Sequence, residues 1–236
     1  MECVILRGVG GYMKKSKNKI KLIRPFGPSI GKFKLPKSII EDFNDACDLI
    51  AKDEQLSDKL DYSDYLAGKV KQEIAIPPEL TSNYNNYFAT IVAQYLKEVD
   101  KLPPPIECSK SASLLPANGY VGTRIDSGWF VRSFAGDYNP VHMHPHAAVS
   151  CVGFLKVPDW DDEHKQDWQD HTGLTHGCLT FMFGDQNTLS QTTHVIRPKV
   201  GDIYVFPAWL LHAVYPFSSK GERRSFSLNM SILTGA

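Results

Sequence analysis

The chain has 236 residues, enough for one large domain or two small ones, and its formal net charge at pH 7 is zero. This balance argues against a nucleic-acid surface built on general positive charge. Its five scattered cysteines include no CxxC pair, which favours free thiols in a reducing compartment. Because neither a signal peptide nor an apolar run of about 18 residues is recognisable, we expect a cytoplasmic protein without a membrane partner.

The first half of the chain carries two helical patterns. From Pro36 to Ile50, apolar residues recur every three or four positions with acidic residues between them. A second amphipathic stretch covers residues 84–99 and ends before the prolines at 103–105, which cannot continue a helix. We therefore expect residues 1–110 to form a helical segment that packs on the rest of the protein.

The second half has the composition of a β protein. Segments rich in β-branched and aromatic residues alternate with turn signals, which predicts a sandwich or barrel for residues 111–236. This core and the helical segment are expected to form one compact unit, with a long loop over residues 160–176. The predicted strands lie within 119–125, 128–136, 147–158, 177–184, 193–198, 201–217 and 223–232.

Three histidines alternate with other residues in the stretch NPVHMHPH. His142 and His144 would project from the same face of a strand, so both can reach one metal ion. His146 follows a proline that interrupts strand pairing. The candidate for a third ligand from elsewhere in the fold is His212, at the end of the strand-like stretch GDIYVFPAWLLH. Four other histidines are interpreted as ordinary polar residues: His164, His171, His176 and His194.

A second group of polar residues follows His212 in the stretch RRSFSLN. Arg223 and Ser225 share one face of a predicted strand, while Arg224 faces the other side as a surface or packing residue. A buried arginine with a serine two residues further on can bind a carboxylate through charge-assisted hydrogen bonds. A metal ion together with this pair would suit a chelating keto acid.

The chain resembles the iron(II)/2-oxoglutarate-dependent dioxygenases, in particular a group of small oxygenases that includes phage-encoded members. The resemblance rests on GDYNPVHMH, SCVGFLKVP and KVGDIYVFPAWLLHAVYPFSSKGERRSFSLN, and it covers most of residues 130–230. It implies a mainly β fold with N-terminal helices, a double-stranded β-helix or cupin-like jelly roll that holds iron at its open end. It also implies that His142 and His212 bind iron(II), and that Arg223 and Ser225 bind 2-oxoglutarate.

One departure from the family pattern concerns the third iron ligand. Relatives place a carboxylate two residues after the first histidine, and this chain has His144 there. We predict that His144 binds the iron, with His146 and Asp137 as the alternatives. Histidines with an ordinary pKa of about 6.5 would then release the iron below about pH 6.

The other departure is at Phe154, where many relatives have a tyrosine whose hydroxyl contacts the keto acid. Loss of that contact would weaken binding by about 1 kcal/mol. Tyr138 and Tyr204 are the predicted substitutes.

The resemblance implies a hydroxylase that uses molecular oxygen and 2-oxoglutarate to hydroxylate a C–H bond. The expected substrate is a peptidyl residue such as proline, or a small molecule; no nucleic-acid partner is expected, and the oligomeric state stays open. One alternative is a three-histidine cupin dioxygenase that does not use 2-oxoglutarate, which would leave Arg223 and Ser225 without a role. The other is a non-catalytic jelly-roll binding or structural module, in which the histidines would be incidental.

Overall fold

The computed structural model describes residues 21–23, 27–100, 120–160, 175–185, 187–188 and 191–234. Its helices are α1 (Lys37–Lys52), α2 (Glu54–Lys59), α3 (Pro78–Ser82) and α4 (Asn85–Asp100), with a short 3-10 helix at Ser63–Tyr65. Its strands are β1 (Lys21–Ile23), β2 (Ile30–Lys34), β3 (Gln72–Ala75), β4 (Tyr120–Ser133), β5 (Asn139–His142), β6 (Val149–Lys156), β7 (Leu179–Met182), β8 (Thr193–Ile196), β9 (Asp202–Pro207), β10 (Leu211–Val214) and β11 (Arg223–Thr234).

The described strands form two antiparallel sheets. The larger sheet has the order β1-β2-β9-β6-β11-β4-β3, and the smaller has the order β5-β10-β7-β8. Apolar side chains from both sheets share one buried cluster, in which the Phe181 and Phe206 rings meet edge to face with centroids 4.8 Å apart. The prediction of a mainly β fold with N-terminal helices, a double-stranded β-helix, is confirmed.

The helices cover the outer face of the larger sheet. The apolar side of α1 buries Phe43, whose ring lies 4.8 Å from that of Phe226 on β11 and 5.8 Å from that of Phe130 on β4. Phe88 on α4 packs against Phe226 from the same side. The two helices predicted from the apolar period are therefore confirmed. Packing of their apolar faces on this sheet stabilises them.

The first half of the chain is not only helical. Strands β1 and β2 extend one edge of the larger sheet, and β3 extends the other edge by pairing with β4. The division of the chain near residue 110 stays a prediction, because residues 101–119 lie outside the described part. The predicted loop is described only at its ends, since 161–174 are also outside.

Two strand predictions differ from the structure in their boundaries. The segments 119–125 and 128–136 belong to one long strand, β4, which pairs with β11 along its length. The segment 201–217 is divided into β9 and β10 by a turn in which the Leu210 amide donates to the Pro207 carbonyl at 2.9 Å. His212 therefore lies on a strand of its own in the smaller sheet, not at the end of the strand that begins near Gly201.

Of the two predicted roles of Arg224, surface or packing, the structure has the packing one, because its side chain is fully buried. Its guanidinium donates to Glu222 on the same side of the sheet, at 2.8 Å, and to Asp48 on α1, at 2.5 Å. A further bond reaches the Asn44 carbonyl. Arg224 does face away from Arg223, and there it connects β11 to α1 through an ionic network with the partly exposed Asp48 and Glu222 carboxylates.

Candidate metal centre

The three predicted ligands lie close together at the edge of the smaller sheet that β5 forms. His142 on β5 and His212 on β10 are directly opposite each other in the strand register. His144 follows β5 and is held by its backbone amide, which donates to the Ala208 carbonyl at 2.9 Å. One ring nitrogen from each histidine lies within 4.8 Å of those of the other two, and the Nε2 atoms of His144 and His212 are 3.1 Å apart.

Backbone contacts orient two of the imidazoles. The Nδ1 of His142 is 2.7 Å from the Pro140 carbonyl oxygen, and the Nδ1 of His212 is 2.8 Å from the Leu210 carbonyl oxygen. Because a carbonyl can only accept a hydrogen bond, each Nδ1 carries the hydrogen and each Nε2 keeps a free lone pair. The donor set fits a divalent transition metal that favours imidazole ligands, such as iron(II).

Burial keeps these histidines neutral. Desolvation, together with the neighbouring histidines, lowers the pKa of His144 to about 4 and that of His212 to about 3. Desolvation also lowers the pKa of His142. Protons therefore compete for the lone pairs only in acid well below the ordinary histidine pKa. The expected loss of iron moves from about pH 6, a value that assumed exposed imidazoles, to a more acidic pH.

The alternative third ligands lie elsewhere. His146 is exposed and has a positive φ of 72°, which turns the chain away after Pro145. The Asp137 carboxylate accepts hydrogen bonds from the backbone amides of Lys71 and Phe134, both at 2.8 Å. Neither residue joins the histidine cluster in the described part of the chain. Of the other histidines, His176 accepts a hydrogen bond from the Ser218 amide. His194 lies on β8, while His164 and His171 lie outside the described residues.

Arg223 lines the same pocket as the three histidines, together with Ser225. Its side chain is 1% exposed, and none of its three guanidinium nitrogens has a hydrogen-bond partner among the described residues. Its guanidinium carbon lies 5.3 Å from the centre of the Phe154 ring, a cation–π contact. Burying a cation without a hydrogen-bond acceptor costs free energy, so the pocket is electrostatically suited to an anion such as a keto-acid carboxylate.

The two tyrosines predicted to contact the keto acid are not brought into the pocket. Tyr204 is buried in the core, and its hydroxyl lies 3.5 Å from Asp202, with Lys32 above its ring. Tyr138 is 39% exposed and pairs through its backbone with Lys69. Neither lines the pocket of the histidines and Arg223. Phe154 instead supports Arg223 through its ring face.

Two polar residues of the pocket were not predicted from the sequence. Glu73 on β3 and Asn139 at the start of β5 line it beside the histidines, and the Asn139 amide donates to Glu73 Oε1 at 3.2 Å. Glu73 is 66 positions before Asn139 and belongs to no recognisable motif. Only the pairing of β3 with β4 brings it to the site, and the short strand QEIA gave little signal among helical segments.

The fold and the pocket define a class of protein, the cupin-like oxygenases that bind a metal ion and a keto acid. A sequence profile described as "Putative 2OG-Fe(II) oxygenase" matches residues 127–229, which contain all three histidines and Arg223. Over these residues the chain is similar to the iron(II)- and 2-oxoglutarate-dependent oxygenases. No curated protein matches the sequence.

Solved structures agree on the fold. The chain is 15% identical to a prolyl-4-hydroxylase from Pseudomonas putida, with a TM-score of 0.50 over 94% of this chain and 95% of that one. It is 13% identical to AviO1 from Streptomyces viridochromogenes Tue57, with a TM-score of 0.50 over 86% and 89%. It is 10% identical to the carbocyclase SnoK from nogalamycin biosynthesis, with a TM-score of 0.50 over 85% and 78%. Among the described residues, no helix is long and apolar enough to span a membrane.

Proposed function

We propose that the chain hydroxylates a peptidyl residue, with proline as the first candidate, and that His142, His144 and His212 hold its iron. The unpartnered Arg223 supports the use of 2-oxoglutarate in this proposal, because it offers a buried cation to a carboxylate in the pocket that the three histidines line. When bound, iron and 2-oxoglutarate would supply the oxidation of a C–H bond by molecular oxygen, giving the alcohol, succinate and carbon dioxide.

The all-histidine ligand set has an electrostatic consequence for keto-acid binding. Three neutral imidazoles leave the centre one unit more positive than two histidines and a carboxylate would. The fully buried Arg223 adds its own positive charge to that of the metal centre. Ser225 offers a hydroxyl two residues along the same strand face. These residues therefore favour a dianion, with one carboxylate near the histidines and the other at Arg223.

A groove beside the metal centre supports a peptide as the substrate. It shares His142, His144 and Trp129 with the inner pocket and has an empty volume of about 730 Å³, including its open mouth. Tyr62 stacks on Trp129 with ring centroids 5.7 Å apart, and Tyr65 lies 5.0 Å from Tyr62. Aromatic rows of this kind bind the flat faces of proline rings in extended peptides. The Pseudomonas putida neighbour is named as a prolyl-4-hydroxylase, which agrees with this choice.

The two rival functions account for less of the pocket. A three-histidine cupin that does not use a keto acid would bury Arg223 with no acceptor for its guanidinium. In a non-catalytic module, three neutral, oriented imidazoles and a buried cation in one pocket would lower the stability and have no function.

The test is a peptide-library assay with iron(II), 2-oxoglutarate and oxygen, read by mass spectrometry and by succinate release. We expect proline-containing peptides to gain one oxygen atom, with one succinate formed for each hydroxylation. His212→Ala should abolish both signals, and His146→Ala, which changes an exposed histidine, should retain them. Succinate release that no peptide stimulates, in a library where none gains oxygen, would contradict a peptidyl substrate.

A further inference from the structure

Glu73 is a buried carboxyl group that the iron and keto-acid sites do not use. It is 1% exposed, and it lies outside the cluster of histidine nitrogens that could hold a metal ion. Its Oε1 accepts from the Asn139 amide, while its Oε2 is buried and has no hydrogen-bond partner among the described residues. A buried carboxylate oxygen that lines a pocket and has no protein donor can accept a hydrogen bond from a molecule bound there.

The register of the larger sheet places Glu73 opposite the keto-acid end of the pocket. Val131 on β4 is paired with Ser225 on one side and with Glu73 on the other, so the three residues form a row across the sheet. Arg223 is two residues before Ser225 on β11. With strands about 4.8 Å apart and a rise of about 3.4 Å per residue, the Cα atoms of Glu73 and Arg223 are separated by about 12 Å.

Glu73 and Arg223 therefore mark two different ends of one pocket. Both side chains are buried, carry opposite formal charges and lack a partner for at least one polar atom, yet they do not pair with each other. If a carboxylate of 2-oxoglutarate satisfies Arg223, the group that satisfies Glu73 must come from another molecule. Gly68, which lies against Glu73 Oε1, follows Leu66 and Ala67, which line both the inner pocket and the groove.

The backbone at Gly68 closes directly over the Glu73–Asn139 pair. A Cβ atom at this position would lie 2.4 Å from Asn139 Nδ2 and 2.6 Å from Glu73 Oε1, closer than real contacts allow. A side chain at this position would therefore shift the Asn139 amide and the Glu73 carboxyl group from their places beside the pocket.

The pKa of Glu73 agrees with a carboxylate oxygen that has no hydrogen-bond donor. Desolvation raises the pKa of Glu73 to about 7, the hydrogen bond from Asn139 opposes this rise, and Asp61 adds to it. No cation of the described chain offsets the burial. A hydrogen-bond donor from a ligand would do so, most strongly if it carried a positive charge.

We propose that Glu73, positioned by Asn139, is a specificity-determining residue that accepts a hydrogen bond from an N–H group of the substrate. The group is an amine, a guanidinium or a backbone amide of a residue that flanks the hydroxylated one, since a peptidyl proline nitrogen carries no hydrogen. This inference rests on the proposed function, because it assigns one contact of the same substrate. It also separates substrates: a molecule without an N–H donor at this position leaves Glu73 Oε2 buried and unpaired.

Three small probes test the proposal with the full chain loaded with iron(II) and 2-oxoglutarate without oxygen, at about pH 8, where Glu73 is ionised. Methylguanidinium offers a cationic N–H, N-methylacetamide a neutral N–H, and N,N-dimethylacetamide none. Binding is followed by the shift in thermal midpoint and by perturbation of the visible iron–keto-acid band. The variants are Glu73→Gln, Gly68→Ala and, as a matched control, Glu79→Gln on the exposed side of α3.

We expect the wild-type protein and Glu79→Gln to bind one or both N–H probes about tenfold more tightly than N,N-dimethylacetamide. Whichever of the two N–H probes binds more tightly shows whether Glu73 prefers the N–H of an amide or that of a cation. Glu73→Gln should lose this preference while keeping wild-type affinity for 2-oxoglutarate, and Gly68→Ala should weaken it. Equal preference in Glu73→Gln, or no preference for an N–H probe in the wild type, would overturn the proposal. Absence of the visible band in the wild type would instead contradict the proposed function, and the thermal shift would still report on Glu73.

Discussion

Replacement of Arg223 by methionine should have opposite effects on 2-oxoglutarate binding and on the stability of the ligand-free protein. The guanidinium is fully buried in the pocket and has no described partner, so a carboxylate bound there would form a charge-assisted pair away from water. Loss of one member of such a pair costs about 2–5 kcal/mol. The dissociation constant of 2-oxoglutarate should therefore rise by a factor of about 30 to several thousand.

The gain in stability follows from the same burial. Desolvation lowers the pKa of Arg223 from 12.5 to about 10, so the folded protein keeps this cation charged at a cost. A shift of that size corresponds to about 3 kcal/mol. The cation–π contact with Phe154 offsets about 0.5–2 kcal/mol of it. We therefore expect Arg223→Met to raise the free energy of unfolding of the ligand-free protein by roughly 1–3 kcal/mol.

Urea unfolding with and without 2-oxoglutarate and a divalent metal measures both effects. Keto acid at about 100 times its wild-type dissociation constant should stabilise the wild type by about 2.7 kcal/mol, and the same concentration should stabilise Arg223→Met by less than about 1 kcal/mol. Arg124→Met is the matched control, because the Arg124 side chain is 66% exposed in a surface ion pair. If Arg223→Met binds 2-oxoglutarate as the wild type does, or if it is destabilised without ligand, the account of Arg223 is refuted.

Four further outcomes are expected. His144→Ala should lose stoichiometric iron by metal analysis while His146→Ala retains it; retention in both would remove His144 from the ligand set. Between about pH 6.5 and 4 the unfolded chain binds protons that folded His144 and His212 exclude, so urea unfolding of the metal-free protein should show stability falling by up to about 2.7 kcal/mol per pH unit. Glu73→Gln should stabilise the ligand-free protein at about pH 8 by roughly 1–3 kcal/mol, because Glu73 is charged there despite its burial, and the gain should decline below about pH 7 and vanish below pH 4.5. Arg224→Ala should lower the free energy of unfolding by about 1.5–3 kcal/mol with little change in 2-oxoglutarate affinity, since it removes the charge-assisted hydrogen bonds of a buried guanidinium to Glu222 and Asp48; an unchanged unfolding curve would contradict the network.

Local periodicity was enough to predict the elements that bury one continuous face. Helix α1 was predicted because Ile39, Phe43, Cys47 and Ile50 repeat at the helical period, and these four residues are its buried positions. The alternation of polar residues after Arg223 likewise predicted which side chains of β11 line the pocket. In both cases the information lies within a few residues of the chain.

Features set by distant pairing could not be predicted in this way. Glu73 reaches the pocket only through the β3–β4–β11 register, which joins residues some 60 and 150 positions apart in the chain. Strand alternation showed that Arg224 faces away from Arg223, but not that α1 covers that face. The turn after Pro207, which gives His212 its own strand, depends on the division of the chain between two sheets.

The central claim is that three histidines and Arg223 together form one site for iron and 2-oxoglutarate. Its most direct test is anaerobic titration of the metal-free protein with iron(II) and then 2-oxoglutarate, followed by visible absorption. We expect a weak charge-transfer band that saturates at one iron per chain, is absent in His212→Ala, and needs far more 2-oxoglutarate in Arg223→Met. A wild-type protein that binds iron but develops no band at any 2-oxoglutarate concentration, or an Arg223→Met variant that titrates as the wild type does, would contradict it.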